Sequence, residues 1–207
     1  MINIAVLVSG GGTNLQALID AQQKGRLKSG TLKLVVSSKP GAFALTRAQA
    51  AGIETAVLEK MESAERYGAA LQELLAVHGI ELIVLAGFML ILHETFVRAY
   101  DGRIVNVHPS LIPSFCGAGY YGLKVHEAAL AHGVKVTGAT VHLVNEIPDG
   151  GKILAQKAVK IKKGDTPESL QKRVMEKAEW KLLPRETEKL AKKLSKKQAE
   201  KIPEGNG

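Results

Sequence analysis

Cysteine is almost absent from this chain: of 207 residues, only Cys116 carries a thiol. An internal disulfide is thereby excluded, and the chain fits a reducing compartment. Aromatic residues are scarce too, at 4% against 45% hydrophobic. The core must therefore be built from Val, Ile, Leu and Ala, the composition of parallel-sheet proteins. No apolar run approaches the roughly 20 residues that span a bilayer, so a membrane is not an expected partner. The N-terminus lacks a basic region followed by a cleavable apolar stretch, and a cytoplasmic location is expected. Ligand clusters are missing as well. His78, His93, His126, His132 and His142 are scattered singly and read mostly as surface or core residues, so no metal is expected.

Positive charge is in excess, at a net +8, which raises the question of nucleic acid. Its distribution argues otherwise. Residues 181–207 alone supply half of the excess, with eight basic residues against four acidic ones. Within them Leu183, Leu190 and Leu194 recur at helical spacing, the pattern of a solvated amphipathic helix end. The stretch from Pro203 to Gly207 reads as frayed. Nucleic acid is not expected as a partner.

What is present is an alternation of strands and helices. Ile2–Val8 is an apolar strand running into Ser9-Gly10-Gly11-Gly12-Thr13-Asn14, after which Leu15, Leu18 and Ile19 open an amphipathic helix. Strand, glycine turn and helix aim free backbone N–H groups at an anion, with Thr13 and Asn14 placed to cap the helix. The turn matches neither G-x-G-x-x-G nor a P-loop, so a single phosphate is its natural ligand and a plain tight turn the alternative. Further strands are expected at Leu32–Ser37, Ile53–Leu58 and Glu81–Ala86, and helices at Ala42–Ala51 and after Ser63, an N-cap. Gly87–Leu92 is too apolar for a solvent loop; it either packs into the core or lines a pocket for a flat apolar ligand. A glycine–tyrosine loop at Phe115–Gly122 precedes a helix at Leu123–His132. Val134–Val144 and Ile153–Val159, joined by the turn Asn145–Gly151, suggest an antiparallel excursion at the sheet edge. Asp165 or Thr166 caps a final long helix with Pro167 at its first position. The pattern is α/β: one doubly wound, mostly parallel open sheet.

The most informative stretch is Arg103–Pro113, an apolar β-branched run ending in a proline-punctuated loop. Asn106 and His108 stand two apart at the strand's carboxyl end, so they project to one side. Ligands bind beyond that end in open α/β sheets. Taken alone, an Asn-x-His pair reads more readily as two solvated strand-end residues than as a site. Pro113, in a tight turn, is expected to follow a cis bond.

Four segments together resemble the folate-dependent glycinamide ribonucleotide formyltransferases. They are Ser9–Leu15, Leu85–Met89, Asn106–Pro113 and Gly138–His142 through Asp149-Gly150-Gly151, in family order from residue 2 to about 190. The resemblance implies a Rossmann-like formyltransferase domain over 1–190, with 191–207 a basic helix end and tail. It implies transfer of a formyl group from the co-substrate 10-formyltetrahydrofolate to the amine of glycinamide ribonucleotide, both small molecules, through a tetrahedral intermediate. Asn106, His108 and Asp149 become the catalytic trio, with Asp149 raising the pKa of His108 by favouring its charged form. The mechanism needs no covalent enzyme intermediate, and Cys116 is a bystander. Gly11, Gly12, Thr13 and Asn14 match the phosphate clamp, with Glu179 at the ribose and Glu176 one turn earlier on the same face. Met89, Leu90, Ile91 and Leu92 flank the folate's pterin-like end. Val144, Asn145 and Glu146 lie on its other side with Asn106.

Some positions depart from the family pattern. Leu90 replaces a common Arg, and the usual tail-binding Arg falls at Ala64, where Arg66 is near enough to substitute. Trp180 follows Glu179 in place of His, Lys152 replaces a frequent Pro, and the spacing from Arg173 to Glu179 is one residue longer. Two relatives with the same trio are alternatives: 10-formyltetrahydrofolate hydrolase and methionyl-tRNA formyltransferase. The first normally carries an extra N-terminal domain and the second a C-terminal RNA-binding one, and neither is expected here. A silent nucleotide-binding module is the alternative from another class. A monomer or homodimer is expected.

Overall fold

Seven strands form one sheet in the order β3-β2-β1-β4-β5-β6-β7. They are β1 (Ile2–Val8), β2 (Gly30–Ser37), β3 (Glu54–Val57), β4 (Leu82–Leu85), β5 (Ile104–His108), β6 (Val136–Leu143) and β7 (Ile153–Lys160) in a computed structural model describing residues 1–200. Strands β1 to β5 pair in parallel, whereas β6 and β7 run antiparallel at one edge. The expected antiparallel excursion is present.

The period-2 alternation of β1 explains how both faces are covered. Ile2, Ile4, Val6 and Val8 enter one core layer, while Ala5 and Leu7 enter the other. The first layer is closed by α1 (Thr13–Gln23), α2 (Phe43–Ala50), α6 (Pro167–Val174) and α7 (Trp180–Ala199) through residues such as Leu15, Ala44, Leu170 and Leu183. The second is closed by α3 (Ala64–Val77) and α4 (Glu94–Ala99) through Leu71, Leu75 and Phe96. Each fully buried Leu or Ile of this kind contributes roughly 1.5–3 kcal/mol. Helix α5 (Leu123–Ala131) completes the set, with Leu130 against the first layer. No described helix is long and apolar enough to cross a membrane.

Local signals set most boundaries. Ser63 caps α3 by accepting from Arg66 N, and Thr166 caps α6 with Ser169 and Pro167 in a reciprocal capping box. Helix α1 is a correction: neither Thr13 nor Asn14 caps it. Gly12 holds the cap position in a left-handed conformation, with no side-chain bond. The expected single final helix is also modified, because Met175–Glu179 forms a π-turn between α6 and α7. One extra residue relative to the family spacing is what such a turn absorbs. The Ile112–Pro113 bond is cis, as the tight turn predicts. The expected fraying of 203–207 lies outside the described residues.

Candidate active site

The chain order along the sheet reverses between β1 and β4, which opens a crevice beyond their carboxyl ends. The loops after β1 and β4 meet there. Ser9 Oγ lies 2.6 Å from Ser38 Oγ and accepts from Met89 N at 2.9 Å, fastening the ends of β1, β2 and β4 together. In the β4 loop the two sequence readings divide by residue. Phe88, Leu90 and Leu92 pack against the second core layer, whereas Met89 and Ile91 are 46% and 73% exposed. This leaves an apolar wall beside the crevice, a surface that suits a flat heterocycle.

The β1 loop builds the other side of the crevice. Gly12 has φ 73°, and a Cβ there would meet the Ala44 Cβ at 2.7 Å, so only glycine permits both the turn and the approach of α2. Arg47 of α2 donates from Nε to the Gly11 carbonyl at 2.9 Å. Asn14 Nδ2 donates to Glu179 Oε2 at 2.7 Å across a buried contact. Burial pushes the Glu179 carboxyl up to about 7, against the opposing pull of that Asn14 bond. The expected common face for Glu176 and Glu179 is not kept. Glu179 is buried on Asn14, while Glu176 lines a groove between α1 and α7. The widened π-turn no longer stacks residues three apart.

At the end of β5 the alternation acts as the pattern implies, but the antiparallel neighbour adds a partner. Register places Asn106 opposite His142 and His108 opposite Thr140. Asn106 Nδ2 lies 3.2 Å from His142 Nε2, and His142 Nδ1 lies 2.8 Å from the Leu143 carbonyl. With Nδ1–H donated to that carbonyl, the neutral ring offers Nε2 as an acceptor to the Asn106 amide, whereas the charged ring turns Nε2–H toward Asp149 Oδ1 at 3.6 Å. Thr140 Oγ1 donates to the Ser110 carbonyl at 2.7 Å and accepts from Ile112 N at 3.1 Å, which pins the loop after His108.

Asp149 arrives from the turn after β6, in a left-handed conformation with φ 55°. Its Oδ2 accepts from Gly117 N at 2.9 Å and lies 3.4 Å from His108 Nδ1, while Oδ1 is 3.6 Å from His142 Nε2. One carboxylate thus faces both rings. Burial raises its pKa, but the His142 ring, the Gly117 N–H and His108 together hold it below the ordinary value. His108 Nε2 lies 2.9 Å from the Phe115 carbonyl.

The charge state of His108 corrects the sequence reading. Asp149 does pull its pKa upward, as does the Phe115 carbonyl, yet burial outweighs both and the net direction is down. His108 is only 5% exposed, and desolvation disfavours the imidazolium. Cys116 Sγ donates to the Pro113 carbonyl, and burial with the Asp149 charge raises its thiol pKa, the opposite of an activated nucleophile.

The remaining expected residues lie at the periphery. Arg66 is exposed and paired with Glu62 at 3.0 Å. Val144 packs against the second core layer. Asn145 Oδ1 accepts from Ile147 N, and Glu146 pairs with Arg98 of α4 at 3.1 Å, so both fasten the turn that carries Asp149. His142 and Thr140 are the residues that sequence reasoning passed over. Their spacing in Gly138-Ala139-Thr140-Val141-His142 already puts them on one face of a strand.

A glycine turn on one side of the crevice and an amide–imidazole–carboxylate cluster on the other form an arrangement suited to group transfer. The chain belongs to the formyl transferase family, whose model matches residues 2–187. Within it, the chain is 42% identical over 175 residues to phosphoribosylglycinamide formyltransferase of Escherichia coli, covering 84% of this chain and 80% of that one. It is also similar to the trifunctional purine biosynthetic protein adenosine-3 of Gallus gallus, at 45% identity over 84% of this chain, and it spans 17% of that protein's length. The crystal structure of glycinamide ribonucleotide transformylase 1 from Symbiobacterium toebii superposes with a TM-score of 0.87 at 39% identity, covering 93% of this chain and 89% of that one.

Proposed function

We propose that this chain, acting in the cytoplasm, transfers the formyl group of 10-formyltetrahydrofolate to the amine of glycinamide ribonucleotide, giving the N-formyl product and tetrahydrofolate. The observation that carries the reading is the Asn106–His108–Asp149 cluster facing the same crevice as the Gly11–Asn14 turn. In this reading the turn and the start of α1 take the phosphate, and Glu179 serves the ribose end. Met89, Ile91 and Val144 contact the folate ring, with Leu90 and Leu92 behind them. Arg66 is the nearest cation for the folate's acidic tail.

The amine attacks the formyl carbon, forming one C–N bond and leaving the former carbonyl oxygen negatively charged. Asn106 meets that charge with the amide hydrogen that His142 does not take, so its orientation is set before substrate arrives. His108 is the second donor. Its Nε2 faces the Phe115 carbonyl at 2.9 Å, and substrate oxygen replaces that acceptor. As negative charge develops, Asp149 beside Nδ1 supports the imidazolium that burial otherwise disfavours. Asp149 also orders a water that carries the amine proton to the leaving nitrogen as the second C–N bond breaks.

The deciding experiment is a spectroscopic assay with a 10-formyl folate analogue, run with and without glycinamide ribonucleotide. Folate release that depends on the ribonucleotide and yields formylated product is the expected result. Equal formate release without it would instead identify a hydrolase.

A further inference from the structure

A groove of about 690 Å³ lies between α1 and α7, and it meets the glycine turn after β1 at its mouth, through Thr13. Its walls are two facing helical stripes. Ala17, Ala21 and Lys24 recur along α1 at spacings of four and three, and Trp180, Pro184 and Glu188 recur along α7 at spacings of four. The small alanines leave the space open, and the Trp180 and Pro184 rings give it an apolar floor.

Its charge is unbalanced. Six basic and three acidic side chains line it. Much of the acid is already engaged: Glu188 accepts from Lys28 N, Ser29 N and Ser29 Oγ, and Asp20 accepts from Gln16. Among the cations, Arg185 and Lys189 pair with Glu186, and Arg47 is bonded to Gly11 and Gln16. Lys24, Arg26 and Lys181 have no carboxylate within salt-bridge distance among the described residues. Trp180 Nε1 itself is buried and has no hydrogen-bond partner among the described residues.

We propose that this groove is a second small-molecule site, for an aromatic ring joined to a short polyphosphate, the chemistry of a nucleoside diphosphate. The ring lies against Trp180 and Pro184, and the phosphates reach Lys24 and Arg26 at the far end of α1. Lys24 stands seven positions beyond Ala17, about 10 Å along the helix, a reach that suits a nucleotide with two phosphates. The volume falls within the roughly 300–1,000 Å³ typical of ligand pockets.

Trp180 is the only tryptophan in the chain, so its fluorescence reports on the groove directly. ADP titrated against the full chain should change that signal saturably, and calorimetry should give the same affinity. Adenosine and inorganic pyrophosphate alone should each bind at least about tenfold more weakly. Saturating glycinamide ribonucleotide should leave the ADP affinity unchanged, which separates the groove from the anion turn. The variant Lys24→Glu/Arg26→Glu should weaken ADP at least about tenfold while its KM for the ribonucleotide stays at the wild-type value. Absence of saturation by about 1 mM, competition by the ribonucleotide, or an ADP affinity indifferent to the charge reversal would each overturn the proposal. The ADP titrations by fluorescence and calorimetry do not depend on formyl transfer being the reaction catalysed.

Discussion

Asn106 Nδ2 sits 3.2 Å from His142 Nε2, across an antiparallel strand pair that joins residues 36 apart in sequence. The contact fixes which end of the amide faces the crevice. A free Asn side chain presents its oxygen or its nitrogen with little preference, and only the nitrogen stabilises an oxyanion. In the proposed reaction His142 would therefore act through Asn106.

Replacing His142 with Ala should lower kcat for formyl transfer about 10- to 100-fold, the cost of losing one positioned hydrogen bond. KM for the ribonucleotide should barely move, because the glycine turn proposed to take its phosphate lies on the other side of the crevice. His142→Gln, which keeps an acceptor at similar reach, should recover part of the rate. Equal losses in both variants would make His142 a packing residue only.

How much of this was legible in the sequence differs from element to element. Strand β1, the glycine turn and the Asn106/His108 pair were readable because each is local: alternation and glycine placement are encoded within a few residues. His142 was not read as part of the site because its role depends on the register of β6 against β5. Helix α4 went unread, since it is six residues long and follows an apolar loop without a sustained period. The π-turn left one trace, a spacing one residue too long, but its consequence for Glu176 and Glu179 is geometric. The charge state of His108 was misjudged for a related reason. A nearby carboxylate can be guessed from a motif, whereas the depth of burial that opposes it is set by the surrounding fold.

Asp149→Asn tests that balance. The Asp149 charge is the largest influence raising the His108 pKa, and burial already holds the net value below 6.5. Removing the charge should move the His108 titration further down, as followed by histidine NMR. Formyl transfer should fall roughly 100- to 10,000-fold, the range for loss of a group moving protons. An upward shift of the His108 titration would contradict the assignment of the Asp149 charge as an influence that raises it.

Gly12→Ala and Gly10→Ala should behave differently. At Gly12 the backbone is left-handed, and a Cβ would meet Ala44 at 2.7 Å, while at Gly10 nothing lies within 4 Å. The Gly12 variant should lose about 1–2 kcal/mol from backbone strain alone. It should also raise KM for the ribonucleotide, because the turn opens as α2 is displaced. Gly10→Ala should unfold at the wild-type denaturant midpoint. Equal midpoints for both variants would refute the packing argument.

Two buried groups should give stability opposite dependences on pH. His126 is fully buried with neither ring nitrogen partnered, and burial, aided by the His108 charge, lowers its pKa from 6.5 to about 4. A depressed pKa means that the unfolded chain binds the proton more readily. The stability is therefore complete above 6.5 and lost as pH falls toward 4, about 3 kcal/mol in all. Glu179 runs the other way. Its pKa is raised from 4.5 to about 7, so its contribution is complete below 4.5 and lost as pH rises through 7, again about 3 kcal/mol. Between pH 4.5 and 6.5 the two slopes oppose each other, with His108 adding to the His126 side. Chemical denaturation across that window should therefore show weak pH dependence in the wild type. Glu179→Gln keeps an acceptor for Asn14 but cannot ionise, so its stability should climb steeply with pH. His126→Leu should instead leave a stability that declines as pH rises. Parallel profiles for the two variants would show that neither group titrates as its burial requires.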